Sequence, residues 1–168
     1  MVVARAAFRE TIAHLALRDL VFLDESGIAT NLVRLYGRSL DGLIACMALD
    51  GAAATDAVVA FAEQVLVPAL RPGQVVVLDH LSPHRAARVR AVIETAGGRL
   101  LCLPPYSPDF NPIEHAWSTL KTLLRGMGAR TRAALEAALG TALDTALDAF
   151  TTADAHGWFA HCGYGSSH

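Results

Sequence analysis

The run "QVVVLD", Gln74–Asp79, decides the fold. Four apolar residues, three of them β-branched, stand between the turn "RPG" (71–73) and an aspartate. A continuous apolar run of this length reads as a strand buried on both faces, because a half-buried strand would alternate. "LVFLD" (20–24) has the same form, and "RLLCL" (99–103) and "GLIACMALDG" (42–51) supply two more strand candidates. Helical spacing fills the intervals. Residues 3–16 are amphipathic, and 55–70 open on Thr55 with Val58, Val59, Ala62, Leu66 and Leu70 in phase. Residues 83–98 close on Gly97-Gly98, a helix runs from Pro112 to about Arg125, and a long one covers 131–150. Strands alternating with helices predict an α/β domain with a mixed sheet whose central strands are parallel. The expected sheet has adjacent parallel strands at 20–24, 75–79 and 99–103. The strand at 43–49 should lie antiparallel beside the first.

Composition narrows the class. At 168 residues the chain suits one domain spanning 1–168, with a leading helix (1–19) and a C-terminal helical extension (131–168). Hydrophobic residues at 53% and charged residues at 18% argue against disorder. No apolar run approaches the ~20 residues of a membrane span, and no secretory h-region opens the chain. The three cysteines, Cys46, Cys102 and Cys162, are scattered and odd in number, which suits a reducing cytoplasm. A net charge of −2 leaves any nucleic-acid surface to local clusters.

Three carboxylates carry the chemistry. Asp24 and Asp79 are read as the ends of near-identical apolar strands, and functional groups of open α/β sheets gather where strands end. Each alone has a bland reading as a turn or cap residue. Glu114 follows the stretch "LCLPPYSPDFNPIEHAW" (101–117), which holds four of the seven prolines. Asn111 can cap its helix and Pro112 suits the first helical position, so Glu114 falls in the first turn, where the helix dipole favours a negative charge. Glu114, Ser118, Lys121 and Arg125 share one stripe of that helix at ~100° per residue, so phosphate contacts could run away from the carboxylate. A proline-stiffened link restricts where the helix starts relative to the strand before it. Three carboxylates brought together would repel, and divalent cations remove the conflict. Their hard oxygens suit Mg²⁺, with two such ions able to serve phosphodiester chemistry.

These residues resemble a known family. "LVFLDESG", "VVVLDHLSPHRA" and "LPPYSPDFNPIEHAWSTLK" are similar to the three motif segments of mariner-type DDE transposases, in the branch found in bacterial insertion sequences. The 34 residues between Asp79 and Glu114 match that family's spacing, and the likeness runs on into "WFAHCGY". The resemblance implies a ribonuclease-H-like fold and catalytic, metal-binding roles for Asp24, Asp79 and Glu114. It implies Mg²⁺ as cofactor, with Mn²⁺ able to substitute, and two ions in the site. The implied activity is cleavage at transposon ends and strand transfer into target DNA. Transposon ends and target DNA are then the partners, and the reading leaves room for a separate helix-turn-helix protein or domain and for a homodimer. Lys121, Arg125, Arg85 and Ser118 are the candidate DNA contacts, and His80 and His115 would stand behind the metal ligands. His80 departs from the asparagine usual in the family.

Two further expectations follow from the middle of the chain. Only 54 residues separate Asp24 from Asp79, and "RLYGRSLDGLIACMALDG" reads as a jump from one strand to a later one, with a hairpin of sheet deleted. That deletion makes a catalytically dead remnant the first rival to a transposase. A receiver-like or phosphohydrolase domain with acidic strand ends is the second. A zinc site from His156, His161, Cys162 and His168 has a spacing that matches no common site. Arg88 and Arg90 read equally as phosphate contacts or as a solvated helix face, and no triad supports Ser82 or Ser107 as a nucleophile.

Overall fold

The computed structural model describes residues 2–29, 32–39, 42–50, 55–79, 83–115, 118, 122, 126 and 151–165, with the backbone alone for 2, 24–57 and 83–85. Helix α1 (Val2–Ala13) leads through a 3₁₀ turn (Leu17–Asp19) into a sheet of five strands. These are β1 (Leu20–Ala29), β2 (Leu32–Ser39), β3 (Gly42–Asp50), β4 (Val75–Leu78) and β5 (Arg99–Cys102). Their order is β3-β2-β1-β4-β5. The first three strands form an antiparallel meander, and β4 and β5 add to β1 in parallel. Helix α2 (Thr55–Phe61) continues through a π-helical segment (Ala62–Leu66) into α3 (Val67–Ala69), and α4 (Pro83–Thr95) joins β4 to β5. Helix α5 (Thr152–His161) follows near the end of the chain. The helix expected at 131–150 lies outside the described residues. Among the described residues no helix is long and apolar enough to cross a membrane.

The parallel half matches the expectation. Leu20↔Val75 through Leu23↔Leu78 and Val75↔Arg99 through Leu78↔Cys102 put the three apolar runs side by side. Leu20–Leu23 and Val75–Leu78 are all buried, as continuous apolar runs between two layers must be. One face of the sheet, through Val21, Leu23, Val76, Leu78 and Leu100, packs on Val58, Phe61 and Leu66 of the α2 region and on Val89 and Ile93 of α4. On the opposite face Phe22 meets Phe159 of α5 edge-on at 5.3 Å and Tyr164 at 5.2 Å. The turn out of α4 closes as the glycine pair predicts. Gly97 takes φ 81°, its N–H bonds Glu94 O, and Gly98 N–H bonds Ile93 O at 3.0 Å. This is the six-to-one and five-to-two pattern that needs a left-handed residue after the helix. A Cβ on Gly98 would stand 2.9 Å from Ile93 Cγ2, so helix and strand pack closely only with glycine there.

The antiparallel half corrects the sequence reading twice. No hairpin is deleted: "LVRLYGRS" is β2, and it lies between β1 and β3, so β3 pairs with β2 and not with β1. The strand was hidden because Arg34, Gly37 and Arg38 interrupt its apolar residues, and the continuous-run criterion passes over such a stretch. Its signal was the alternation of Val33 and Leu35 with Arg34 and Tyr36, a period-two pattern. The second correction concerns Asp24, which does not end its strand. β1 runs on to Ala29, with Asp24 opposite Tyr36 of β2 and an irregularity between Gly27 and Ala29. Beyond Leu23 no residue of β1 has a described rung with β4, so polar "DESG" is tolerated in a strand with a partner on one side.

Phe22 joins the sheet to the α5 layer and is 1% exposed. Phe22→Ala should therefore cost about 3–5 kcal/mol, the usual range for deleting a buried aromatic side chain. Urea unfolding followed by far-ultraviolet circular dichroism measures this, and a loss below about 1 kcal/mol would contradict the packing described.

Candidate active site

The backbone brings Asp24 and Asp79 to one place. Leu23↔Leu78 is the last parallel rung described, and an aspartate follows each, Asp24 within β1 and Asp79 just past the end of β4. Parallel neighbours lie about 4.8 Å apart, and position 24 shares the pleat phase of Leu20 and Phe22, as position 79 shares that of Val75 and Val77. That phase belongs to the face on which α5 packs. Asp79 is exposed at the strand's carboxyl end, and the side chain of Asp24 lies outside the description.

Glu114 reaches the same layer by another route. After β5, Leu103 N–H bonds Leu78 O at 2.7 Å, which carries the chain one residue further along β4. The proline-rich loop then turns through Tyr106, whose φ of 55° is uncommon for a residue with a side chain, and a 3₁₀ turn at Pro108–Phe110. Asn111 is buried, and its Oδ1 accepts from Ile113 N–H at 3.4 Å, the capping role expected of it. The chain is helical from Ile113 to His115 and again at Ser118, Thr122 and Gly126, so Glu114 occupies the first turn and is exposed. The His115 ring stands edge-on to His161 of α5 at 4.6 Å. The Glu114 turn therefore abuts the helix that covers Phe22, two residues before Asp24.

Contacts that sequence reasoning missed hold this loop. Arg5 of α1 donates through Nη1 to Ser107 Oγ and to Asp109 Oδ1, each at 2.9 Å, and pairs through Nη2 with Asp109 Oδ2. Phe8 stacks on Phe110 with centroids 5.4 Å apart, and the guanidinium groups of Arg5 and Arg9 stand 4.3 and 5.0 Å from the Phe110 ring centre. From the other end of the chain, the Tyr164 hydroxyl donates to Phe110 O at 2.6 Å. The hydrogen bond from Arg5 holds the Asp109 carboxyl below its usual range, although burial opposes it. Burial pushes the Cys162 thiol up from 9.0 to about 11 and raises the Tyr164 phenol further. Arg5, Phe8 and Tyr164 are more than 50 residues from the loop in sequence. Only the opposite charges of Arg5 and Asp109 offered a hint, among many such pairs.

The remaining candidates divide. Ser118 is exposed one turn beyond Glu114, and its carbonyl accepts from Thr122 Oγ1 at 2.9 Å. Arg85 lies in α4 with its side chain undescribed, and His80, Lys121 and Arg125 lie outside the described residues. Arg90 reaches Leu100 O at 3.1 Å and Glu94, which ties it to the sheet edge. The donor set of Asp24, Asp79 and Glu114 is all hard oxygen, which suits Mg²⁺ or Mn²⁺ over soft-ligand metals. Among the described side chains no three of His, Cys, Asp and Glu cluster for a metal; Asp24 is not in that set, and His168 of the zinc grouping that the spacing disfavoured lies outside the described residues.

A five-stranded mixed sheet with this order has counterparts among transposase and integrase catalytic cores. The chain is similar to the catalytic domain of the Mos1 mariner transposase, with a TM-score of 0.68 and 16% identity over 96% of this chain and 87% of that one. It matches the Mos1 transposase paired-end complex with left transposon end at a TM-score of 0.75 and 16% identity, over 95% of this chain and 57% of that one. The catalytic core domain of BIV integrase matches at 0.53 and 20% identity, over 75% of this chain and 81% of that one. The fold is thus ribonuclease-H-like. Residues 39–136 match the family of DDE superfamily endonucleases, and the chain belongs to that family. No curated relative matches the sequence. Structures of the Mos1 catalytic domain include one with Mn and one with Mg.

The thiol in the tail gives a pH test. The folded state holds Cys162 neutral to about 11, whereas the unfolded chain ionises near 9.0. Its contribution is present in full below pH 9 and is lost as pH rises towards 11. Stability should fall across that window, and Cys162→Ala should flatten the fall. Melting temperatures of both proteins from pH 8 to pH 11 check this.

Proposed function

We propose that the chain is the catalytic domain of an insertion-sequence transposase that cleaves DNA at element ends and joins those ends to target DNA. The observation that carries the reading is the placement of Asp24 and Asp79 one step beyond the rung Leu23↔Leu78, with Glu114 opening a helix against the layer on that face. In this reading Asp24, Asp79 and Glu114 together hold a pair of Mg²⁺ ions, for which Mn²⁺ can substitute. Bound there, the ions supply Lewis-acid charge neutralisation for in-line displacement at a phosphodiester. The chain's own part is positioning, since phosphoryl transfer asks for little else. The strands β1 and β4 fix two carboxylates at one spacing, and the stiff loop brings the third to them. Ser118, Lys121, Arg125 and Arg85 are the contacts that would seat the DNA backbone, with His80 and His115 behind the ligands.

In the same reading residues 1–168 form one catalytic unit, with 1–19 as a leading helix and 131–168 as a C-terminal helical extension. Recognition of element ends falls to a helix-turn-helix part or a separate protein, and two copies pair the ends. The rival reading of a dead remnant drew its support from a deleted hairpin, and β2 with β3 is that hairpin. An intact frame around Asp24 favours a site that still holds metal. A receiver-like domain would need a parallel strand where the antiparallel β2 lies.

Calorimetric titration with Mn²⁺ tests the site apart from DNA. Wild type should give binding heats that the Asp24→Asn/Asp79→Asn double variant lacks, and equal heats would refute the metal site. On nicked or duplex element-end DNA with Mg²⁺ or Mn²⁺, Asp79→Asn should lower cleavage at least 100-fold, since misplacing a reacting group by about 1 Å already costs that much.

A further inference from the structure

The loop that delivers Glu114 receives its holding contacts from outside the family match. Ser107, Asp109 and Phe110 fall within residues 39–136, whereas Arg5, Phe8, Arg9 and Tyr164 do not. Its four prolines lack an N–H, so the loop cannot tie itself to the sheet by a ladder. Beyond the bond from Leu103 N–H to Leu78 O, its hydrogen bonds to other elements among the described residues run through the Arg5 guanidinium and the Tyr164 hydroxyl. They converge around Phe110, which is 2% exposed and stands four residues before Glu114. From Phe110 the chain passes through Asn111, whose carbonyl accepts from Glu114 N–H at 3.3 Å. A shift of Phe110 is thus passed to the carboxylate's own backbone.

We propose that Arg5 and Tyr164 are positioning residues for Glu114, acting through Phe110 from the two ends of the chain. This rests on the reading of Glu114 as a metal-holding residue. Stability alone accounts poorly for the arrangement. The Arg5–Asp109 pair has side chains 27% and 56% exposed, and such surface pairs add little to folding. The geometry is nonetheless specific: one guanidinium bonds three acceptor atoms on Ser107 and Asp109 while lying over the Phe110 ring. Arginine does this and lysine does not, because only the planar fork can bond in its plane and stack on its face. Tyr164 completes the hold by fixing the Phe110 carbonyl while its ring packs on Phe22, which joins the loop to the strand that carries Asp24.

The test uses Arg5→Ala, Arg5→Lys and Tyr164→Phe, with Asp79→Asn as reference. Tyr164→Phe keeps the ring on Phe22 and removes one hydroxyl, so it reports even where Arg5→Ala fails to fold. Three quantities are read: Mn²⁺ affinity by calorimetry, amide hydrogen exchange at Ile113–His115, and melting temperature. Arg5→Ala should bind Mn²⁺ about tenfold more weakly, the lower end of the usual cost of losing a group that orients a ligand. Exchange at Ile113–His115 should quicken while the melting temperature moves by only a few degrees. Tyr164→Phe should show the same pattern at smaller size, and Arg5→Lys should recover less than half of the lost affinity on a logarithmic scale. Wild-type affinity and exchange in Arg5→Ala and Tyr164→Phe, with binding lost in Asp79→Asn, would overturn the positioning role alone. Equal Mn²⁺ binding by wild type and Asp79→Asn would instead overturn the metal site and the positioning role with it.

Discussion

The parallel pairing of β1 with β4 is the constraint on which the rest of this molecule depends. Four rungs, from Leu20↔Val75 to Leu23↔Leu78, bring together segments more than 50 residues apart. Closing so long a loop costs entropy that local structure cannot repay, and the return comes from burying eight apolar side chains between two layers. The rungs also set where chemistry can stand. The first residue past them on each segment is an aspartate, Asp24 after Leu23 and Asp79 after Leu78.

The layers on the two faces have separate duties. The face of Val21 and Leu23 is closed by Val58, Phe61 and Leu66 of the α2 region and by Val89 and Ile93 of α4. The face of Phe22 is aromatic, with Phe159 and Tyr164 set edge-on to it. Edge-on contacts fix ring direction as well as separation, so this layer places its neighbours more closely than aliphatic packing does. The Glu114 turn meets this second layer through His115, whose ring stands edge-on to His161 of α5. Helix α1 and Tyr164 both reach Phe110, through ring stacking by Phe8 and a hydrogen bond to its carbonyl.

Legibility followed the reach of each interaction. The parallel strands and α4 were readable because burial on both faces imposes an apolar run, and the exit from α4 imposes glycines; both are written into a few adjacent residues. β2 was not readable by the same rule. Its neighbours are antiparallel, so it keeps Arg34, Gly37 and Arg38, and its apolar residues number too few for a continuous run. Asp24 was read as the end of its strand, which it is not. It stands just past the end of the pairing with β4, in mid-strand, since the apolar run ends where the second partner ends. His115 showed no sequence sign of its contact with His161, which needs two helices to meet.

By itself the sequence determined the fold class, and it singled out Asp24, Asp79 and Glu114 as candidates with the spacing between the last two. Those depend on local rules, on burial patterns, caps and prolines, and on the motif segments of a family. Only the tertiary structure decided that the sheet has five strands, that β2 and β1 stand between β3 and β4, and that the Glu114 loop is held by Arg5 and Tyr164. The physical reason is one of range. A side chain's secondary structure is settled by its near neighbours, whereas an ion pair, a ring stack or a strand neighbour is settled by whichever distant residue the fold carries to it.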